Sequence, residues 1–92
     1  MTLPTSYRFV VTGRVQGVGF RQATQGKALF LGLRGWVRNR SDGAVEGLVG
    51  GGAREVQLFR EWLALGPPAA KVQALEWNAS TDEIAEGFLI LR

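Results

Sequence analysis

A strand, a glycine-rich loop and the start of a helix follow one another in residues 7–21, YRFVVTGRVQGVGFR. Residues 7–12 are rich in β-branched and aromatic side chains that alternate along the chain, which predicts a β-strand. The strand ends at Gly13, and two further glycines let the backbone bend tightly before a helix begins at Phe20. Such a loop offers unpaired N–H groups and the positive end of a helix dipole, so it favours an anionic ligand.

The remaining sequence predicts the other elements. Residues 20–31 form the first helix, 36–41 and 44–49 a hairpin of two strands, 53–65 a second helix, and 72–77 and 88–91 two further strands. This order is that of a ferredoxin-like α+β sandwich (βαββαβ), in which two helices pack on one face of an antiparallel sheet. Because this fold hosts many activities, it does not identify one.

The chain has 92 residues, which is enough for one hydrophobic core. We therefore expect a single domain over residues 1–92, with residues 1–6 as a loose N-terminal tail. The N-terminus lacks the pattern of a secretory signal, and no apolar stretch is long enough to span a bilayer. A cytoplasmic monomer without a membrane partner is the expectation.

The sequence contains neither histidine nor cysteine. This excludes an imidazole base, a thiolate nucleophile, a Cys/His zinc site and a disulfide. Carboxylates, hydroxyls, amides, arginines, two lysines and the backbone remain. Any catalysis must therefore be a reaction that needs only such groups.

The net charge of +3 hides an uneven distribution along the sequence. The seven basic residues that precede the first acid, Asp42, are Arg8, Arg14, Arg21, Lys27, Arg34, Arg38 and Arg40. Most are arginines, whose planar fork matches phosphate or carboxylate oxygens, so an anionic partner is one interpretation. A solvated basic face is the other, since an uneven sequence need not give an uneven surface.

The loop fails two familiar nucleotide motifs. A P-loop needs a glycine where Val18 stands, and the dinucleotide motif needs one where Gln22 stands. A small phosphate therefore suits the loop better than a nucleotide, and Arg21 is positioned to complete the cradle with a bidentate contact. The alternative is a tight turn whose glycines only solve a packing problem.

Three segments resemble the acylphosphatase family: 13–21 (GRVQGVGFR), 31–39 (LGLRGWVRN) and 42–47 (DGAVEG). The resemblance extends over nearly the whole chain, and the pairing of the first segment with Trp36-Val37-Arg38-Asn39 is specific to the family. It implies hydrolysis of acyl phosphates to a carboxylate and inorganic phosphate, with no metal and no cofactor. By position it implies two catalytic residues, Arg21 and Asn39. It also implies a phosphate-binding set of Val15, Gln16, Gly17, Val18, Gly19, Phe20 and Arg21.

The sequence departs from the family pattern at two places, and it leaves some alternatives open. Leu29 is predicted to be exposed opposite the buried face of its helix, where it could mark a contact surface, and the C-terminal strand ends in Leu91-Arg92 without an aromatic residue. No nucleic acid is expected as a partner. A nucleic-acid-binding module and a non-catalytic anion-binding module nevertheless remain the alternative functions. Acetyl phosphate, carbamoyl phosphate and 1,3-bisphosphoglycerate are all open as substrates.

Overall fold

Residues 6–92 are the part of the chain that this computed structural model describes. The elements, in chain order, are β1 (Ser6–Arg14), α1 (Phe20–Phe30), β2 (Arg34–Asn39), β3 (Val45–Gly50), α2 (Ala53–Leu63), β4 (Lys71–Ser80) and β5 (Phe88–Ile90). Every element predicted from the sequence is present in the predicted order, with boundaries displaced by a few residues.

The predicted N-terminal tail requires one correction. Ser6 is the first residue of β1 and is fully buried. Its hydroxyl donates a hydrogen bond to the carbonyl of Asp82 at 2.9 Å, which ties it to the chain after β4. Residues 1–5, the rest of the predicted tail, lie outside the described residues.

The sheet has the strand order β4-β1-β3-β2-β5, and it is mixed rather than purely antiparallel. Strands β1 to β4 pair antiparallel, as predicted, but β5 runs parallel to β2. The reason is topological, because β4 ends at the end of the sheet at which β2 begins. Residues 81–87 connect β4 at one edge of the sheet to β5 at the other edge, and the chain enters β5 at the end where β2 begins, so the two strands run in the same direction.

Both helices cover one face of the sheet, as the sequence predicts. Phe20 and Ala28 from α1 and Phe59 and Leu63 from α2 are buried against the strands, and Phe9 meets Phe59 edge-on at 5.7 Å. Burying each large apolar side chain stabilises the fold by about 1.5–3 kcal/mol. In residues 6–92, no helix has the length and apolar character needed to cross a membrane.

Four strand ends meet at one end of this sheet. They are the C-terminal ends of β1 and β2 and the N-terminal ends of β3 and β4, as the pairs Asn39–Val45 and Arg14–Lys71 show. The loop from β1 to α1 and the turn from β2 to β3 therefore lie at the same end, which brings the candidate residues into one region.

Candidate active site

The loop between β1 and α1 has the backbone geometry of an anion-binding nest. The φ angles of Gly17 and Gly19 are +74° and +75°, whereas no non-glycine residue in 6–92 has a positive φ, so φ alternates in sign from Gln16 to Gly19. This alternation turns successive N–H groups toward one side. A Cβ at either glycine would meet nothing within 4 Å. The glycines thus serve the backbone conformation, and close packing does not account for them.

The N–H groups of this loop have no partners within the described chain. None of the N–H groups of residues 15–19 donates to an acceptor in residues 6–92, and the N-cap, Gly19, has no side-chain cap. The first turn of α1 also lacks an acidic residue. Unsatisfied donors combined with the positive end of the α1 dipole favour an anion in this loop.

Hydrophobic side chains fix both ends of the loop. Val15 and Phe20 are each only 1% exposed in the core, and Val18 packs against the same core from the middle of the loop. Because protein interiors are close-packed, these anchors hold the intervening backbone in place. The loop is therefore organised before a ligand binds.

Gln16 connects the loop to the turn that follows β2. Its side-chain Nε2 donates to the carbonyl oxygens of Arg40 at 2.8 Å and Ala44 at 3.0 Å. The sequence pointed to Gln16 only as one residue of the phosphate loop and missed this side-chain role. A long polar side chain in a glycine-rich loop could have indicated a bridging role for Gln16. The sequence did not identify its partners, because they lie more than twenty residues further along the chain.

Replacing Gln16 by Leu removes both bridging hydrogen bonds while keeping a side chain of similar size. We expect inorganic phosphate to bind about tenfold more weakly, since each such bond contributes about 0.5–1.5 kcal/mol to holding the loop. Gln25→Leu is the matched control, because the Gln25 side chain also donates to a backbone carbonyl, that of Phe88, at 2.8 Å. Calorimetric titration of both variants checks this. Equal phosphate affinity in the two variants would refute the bridging role.

Arg21 is left without an ion pair, unlike several other early arginines. It lies in the first turn of α1, half-buried, and contacts no carboxylate within residues 6–92. The arginines that are paired lie on or next to the strands: Arg8 with Asp82, Arg38 with Glu46 and Arg40 with Asp42, at 2.7–3.0 Å. These three acids thus offset the charges of Arg8, Arg38 and Arg40, while the guanidinium of Arg21 at the loop stays available to an anion.

Asn39 presents a buried oxygen without a donor. It is the last residue of β2, and its Oδ1 is buried with no hydrogen-bond partner in residues 6–92. Leaving a buried acceptor unsatisfied costs about 1–3 kcal/mol, so such a group in a native fold needs an explanation. A donor from outside the protein, such as a reacting water, would satisfy this oxygen.

Topology places Asn39 and Arg21 on the same side of the sheet. Side chains two residues apart along a strand share a face, and Val37 is buried in the helix-covered core, so Asn39 faces the helix side. α1 begins at the end of the sheet where β2 ends, which puts Arg21 at that end and on that side. The loop, Arg21 and Asn39 therefore lie at the same end and on the same side of the sheet.

The turn after β2 carries an acid that stays ionised. The N–H of Ala44, 3.1 Å from Asp42 Oδ1, and the Arg40 guanidinium together hold the pKa of Asp42 below its ordinary value of 3.8. Asp42 therefore braces the turn and is not a proton donor at neutral pH. Within residues 6–92, no three acidic side chains lie close enough together to hold a metal ion.

The open face of the sheet differs from that of RNA-binding domains of similar topology. Those domains stack bases on aromatic side chains from two central strands. On the open face of the described chain the aromatic residue is Trp36, flanked by Arg38 at 5.1 Å and Arg8 at 5.9 Å. Both of these arginines also pair with acids, and the described part of this face lacks the second aromatic residue that base stacking on two strands requires.

Comparison with known proteins gives one consistent result. The model of the acylphosphatase family matches residues 7–90. An acylphosphatase from Azoarcus sp. (strain BH72) is 50% identical over 78 residues, which are 85% of this chain and 80% of that protein. The crystal structure of acylphosphatase from Bacillus subtilis is 41% identical with a TM-score of 0.87, covering 95% of this chain and 98% of that one. An acylphosphatase structure from Coxiella burnetii is 37% identical with a TM-score of 0.90, covering 99% and 100%.

Proposed function

Because this chain belongs to the acylphosphatase family, we propose that its loop amides, Arg21 and Asn39 together carry out the family reaction. The protein is an enzyme that hydrolyses the carboxyl–phosphate bond of acyl phosphates and releases a carboxylate and inorganic phosphate. The observation that carries the site assignment is the row of unpartnered N–H groups in residues 15–19, directly before an unpaired Arg21.

The substrate phosphate occupies the nest in this proposal. The N–H groups of residues 15–20 donate to its oxygens, and the Arg21 guanidinium adds a bidentate contact. In phosphoryl transfer, negative charge is spread over the three equatorial oxygens of the transition state. Donors that are already in place stabilise this charge without reorganising, which is commonly the largest contribution to catalysis.

The leaving group needs no proton from the enzyme. The conjugate acid of a departing carboxylate has a pKa of about 4 to 5, so the carboxylate leaves without a general acid. This fits a chain without histidine and an Asp42 that stays ionised. The unusual composition of the protein is thus compatible with catalysis of this particular reaction.

Asn39 orients the attacking water. Its Oδ1 accepts a hydrogen bond from the water, which directs an oxygen lone pair toward phosphorus in line with the departing carboxylate. The transition state is loose in most analyses, so little bonding to the water is needed and a strong base is dispensable. The substrate phosphate itself takes the proton of the water. The attack is direct and forms no covalent enzyme intermediate.

In this proposal the enzyme acts as a cytoplasmic monomer.

The reaction proceeds without a metal or cofactor. The test is phosphate release from benzoyl phosphate by the purified chain in excess EDTA, compared with spontaneous hydrolysis. We expect strong acceleration that EDTA leaves unchanged. Phosphate binding without turnover would indicate the non-catalytic alternative, and activity that EDTA abolishes and a divalent cation restores would overturn metal-free catalysis.

A further inference from the structure

A groove of the described chain lies beside the phosphate loop rather than in it. Its volume is about 660 Å³, and it is lined by strand residues 12–14 and 71–73 and by the turn residues 42–44. It opens at the end of the sheet that carries the loop, and the loop starts one residue after Arg14. The mechanism proposed above does not use this groove.

Two cations face each other along this groove. Arg14 and Lys71 are directly opposite in the antiparallel pair of β1 and β4. Neither forms an ion pair with an acid among residues 6–92. Like charges directly opposite on neighbouring strands destabilise a sheet. The arrangement thus works against folding unless an anion offsets it.

A local irregularity in the sheet produces this pairing. The register of β1 and β4 shifts between Thr12 and Gly13, which marks a β-bulge. A Cβ at Gly13 would collide with the carbonyl oxygen of Lys71, and the Gly13 φ of +121° is one that other residues rarely adopt. Bulges next to active sites commonly redirect side chains. Here the bulge and the glycine bring Arg14 level with Lys71.

The acid in the groove does not cancel these charges. Asp42 already accepts hydrogen bonds from the Arg40 guanidinium at 2.8 Å and from the N–H of Ala44 at 3.1 Å. Because the charges of Asp42 and Arg40 offset each other, Arg14 and Lys71 give the groove two uncompensated positive charges.

We propose that Arg14 and Lys71 form a second anion site, which binds a carboxylate or phosphate on the acyl group of the substrate. The inference rests on the proposed function and specifies its substrate class: acyl phosphates that carry a second anionic group. Arg14 adjoins Val15, the first residue of the phosphate loop, and consecutive Cα atoms are about 3.8 Å apart. In this proposal the acyl end of a substrate whose phosphate is held in the loop reaches the neighbouring groove.

The test compares substrates that differ only in the second charge. Initial rates are measured with benzoyl phosphate and with 3- and 4-carboxybenzoyl phosphate, using the wild-type chain and the double variant Arg14→Gln/Lys71→Gln. We expect the double variant to lose about 5- to 20-fold in kcat/KM for at least one carboxylated substrate, from two solvent-exposed charge contacts. Its kcat/KM for benzoyl phosphate stays unchanged. Arg54→Gln, which removes an exposed arginine of α2, is the control and changes neither value.

The two proposals fail in different ways. If the wild-type chain does not hydrolyse benzoyl phosphate, the proposed function is wrong. If it does, the second anion site is wrong when the double variant lowers kcat/KM equally for benzoyl phosphate and the carboxylated substrates. It is also wrong when the double variant changes kcat/KM for neither kind of substrate. A thermal melt adds an independent readout, because removing two opposed cations should leave the melting temperature unchanged or raise it. A lower melting temperature would contradict the repulsion on which the site is argued.

Discussion

Arg21→Ala is expected to lower kcat/KM for benzoyl phosphate by at least about 100- to 1,000-fold, the loss typical of removing one preorganised donor. The physical reason is that Arg21 supplies a full charge and two donors to the phosphate, and no acid in residues 6–92 competes for it. Since Arg21 is only half-buried and has no ion pair to lose, the variant should fold.

Two further variants separate charge from shape at this position. Arg21→Lys keeps the charge but loses the planar fork, so we expect activity between those of Arg21→Ala and the wild type. Arg34→Ala is the matched control, because Arg34 is an exposed arginine on β2 that forms no ion pair in the described chain. A folded Arg21→Ala variant that hydrolyses benzoyl phosphate at a near-normal rate would rule out Arg21 as a catalytic residue.

Asn39→Ala is expected to reduce kcat by a similar factor of about 100 to 1,000. The loss should lie in kcat, because the proposed role of Asn39 is to orient the water and not to hold the phosphate. The same variant should be no less stable than the wild type. Its Oδ1 has no partner in residues 6–92, and removing a buried unsatisfied acceptor relieves a desolvation cost.

This combination of lost turnover and retained stability is specific to a functional polar group. Kinetics with benzoyl phosphate and a thermal melt measure the two quantities. Asn78→Ala, at an exposed position of β4, is the control and should change neither. An Asn39→Ala variant that melts well below the wild type would indicate that Asn39 mainly supports the fold.

The local features of this protein were predictable from sequence. Alternating side chains, glycines and helical spacing predicted each element in order, because these patterns act over a few residues. The predicted exposure of Leu29 is confirmed, with 55% of that residue exposed, and the neighbouring Phe30 is exposed to 83%. Whether Leu29 marks a contact surface stays a prediction.

Features that depend on distant parts of the chain were not predictable. The parallel direction of β5 follows from where β4 ends, and the burial of Ser6 follows from its contact with Asp82. The bridge from Gln16 to the turn after β2 likewise joins residues that are far apart in sequence. Sequence patterns with a period of two or 3.6 carry no information about such contacts.

The charge pattern became interpretable only in three dimensions. The sequence showed an excess of early arginines but not which of them acids would neutralise. In the fold, acids on β3, in the turn after β2 and after β4 pair with Arg8, Arg38 and Arg40. Within residues 6–92, Arg21 and Arg14 remain without an ion pair beside the phosphate loop. The early arginines therefore include some that acids neutralise and others that can bind an anion.

The most direct test of the proposed division of roles is the affinity for inorganic phosphate, measured by calorimetry in Arg21→Ala and Asn39→Ala side by side. We predict that Arg21→Ala binds phosphate about 10- to 100-fold more weakly than the wild type, as expected for losing charged hydrogen bonds. Asn39→Ala should bind it nearly as well as the wild type although its turnover is lost. Equal weakening in both variants, or unchanged binding in Arg21→Ala, would contradict the assignment of the phosphate to Arg21 and of the water to Asn39.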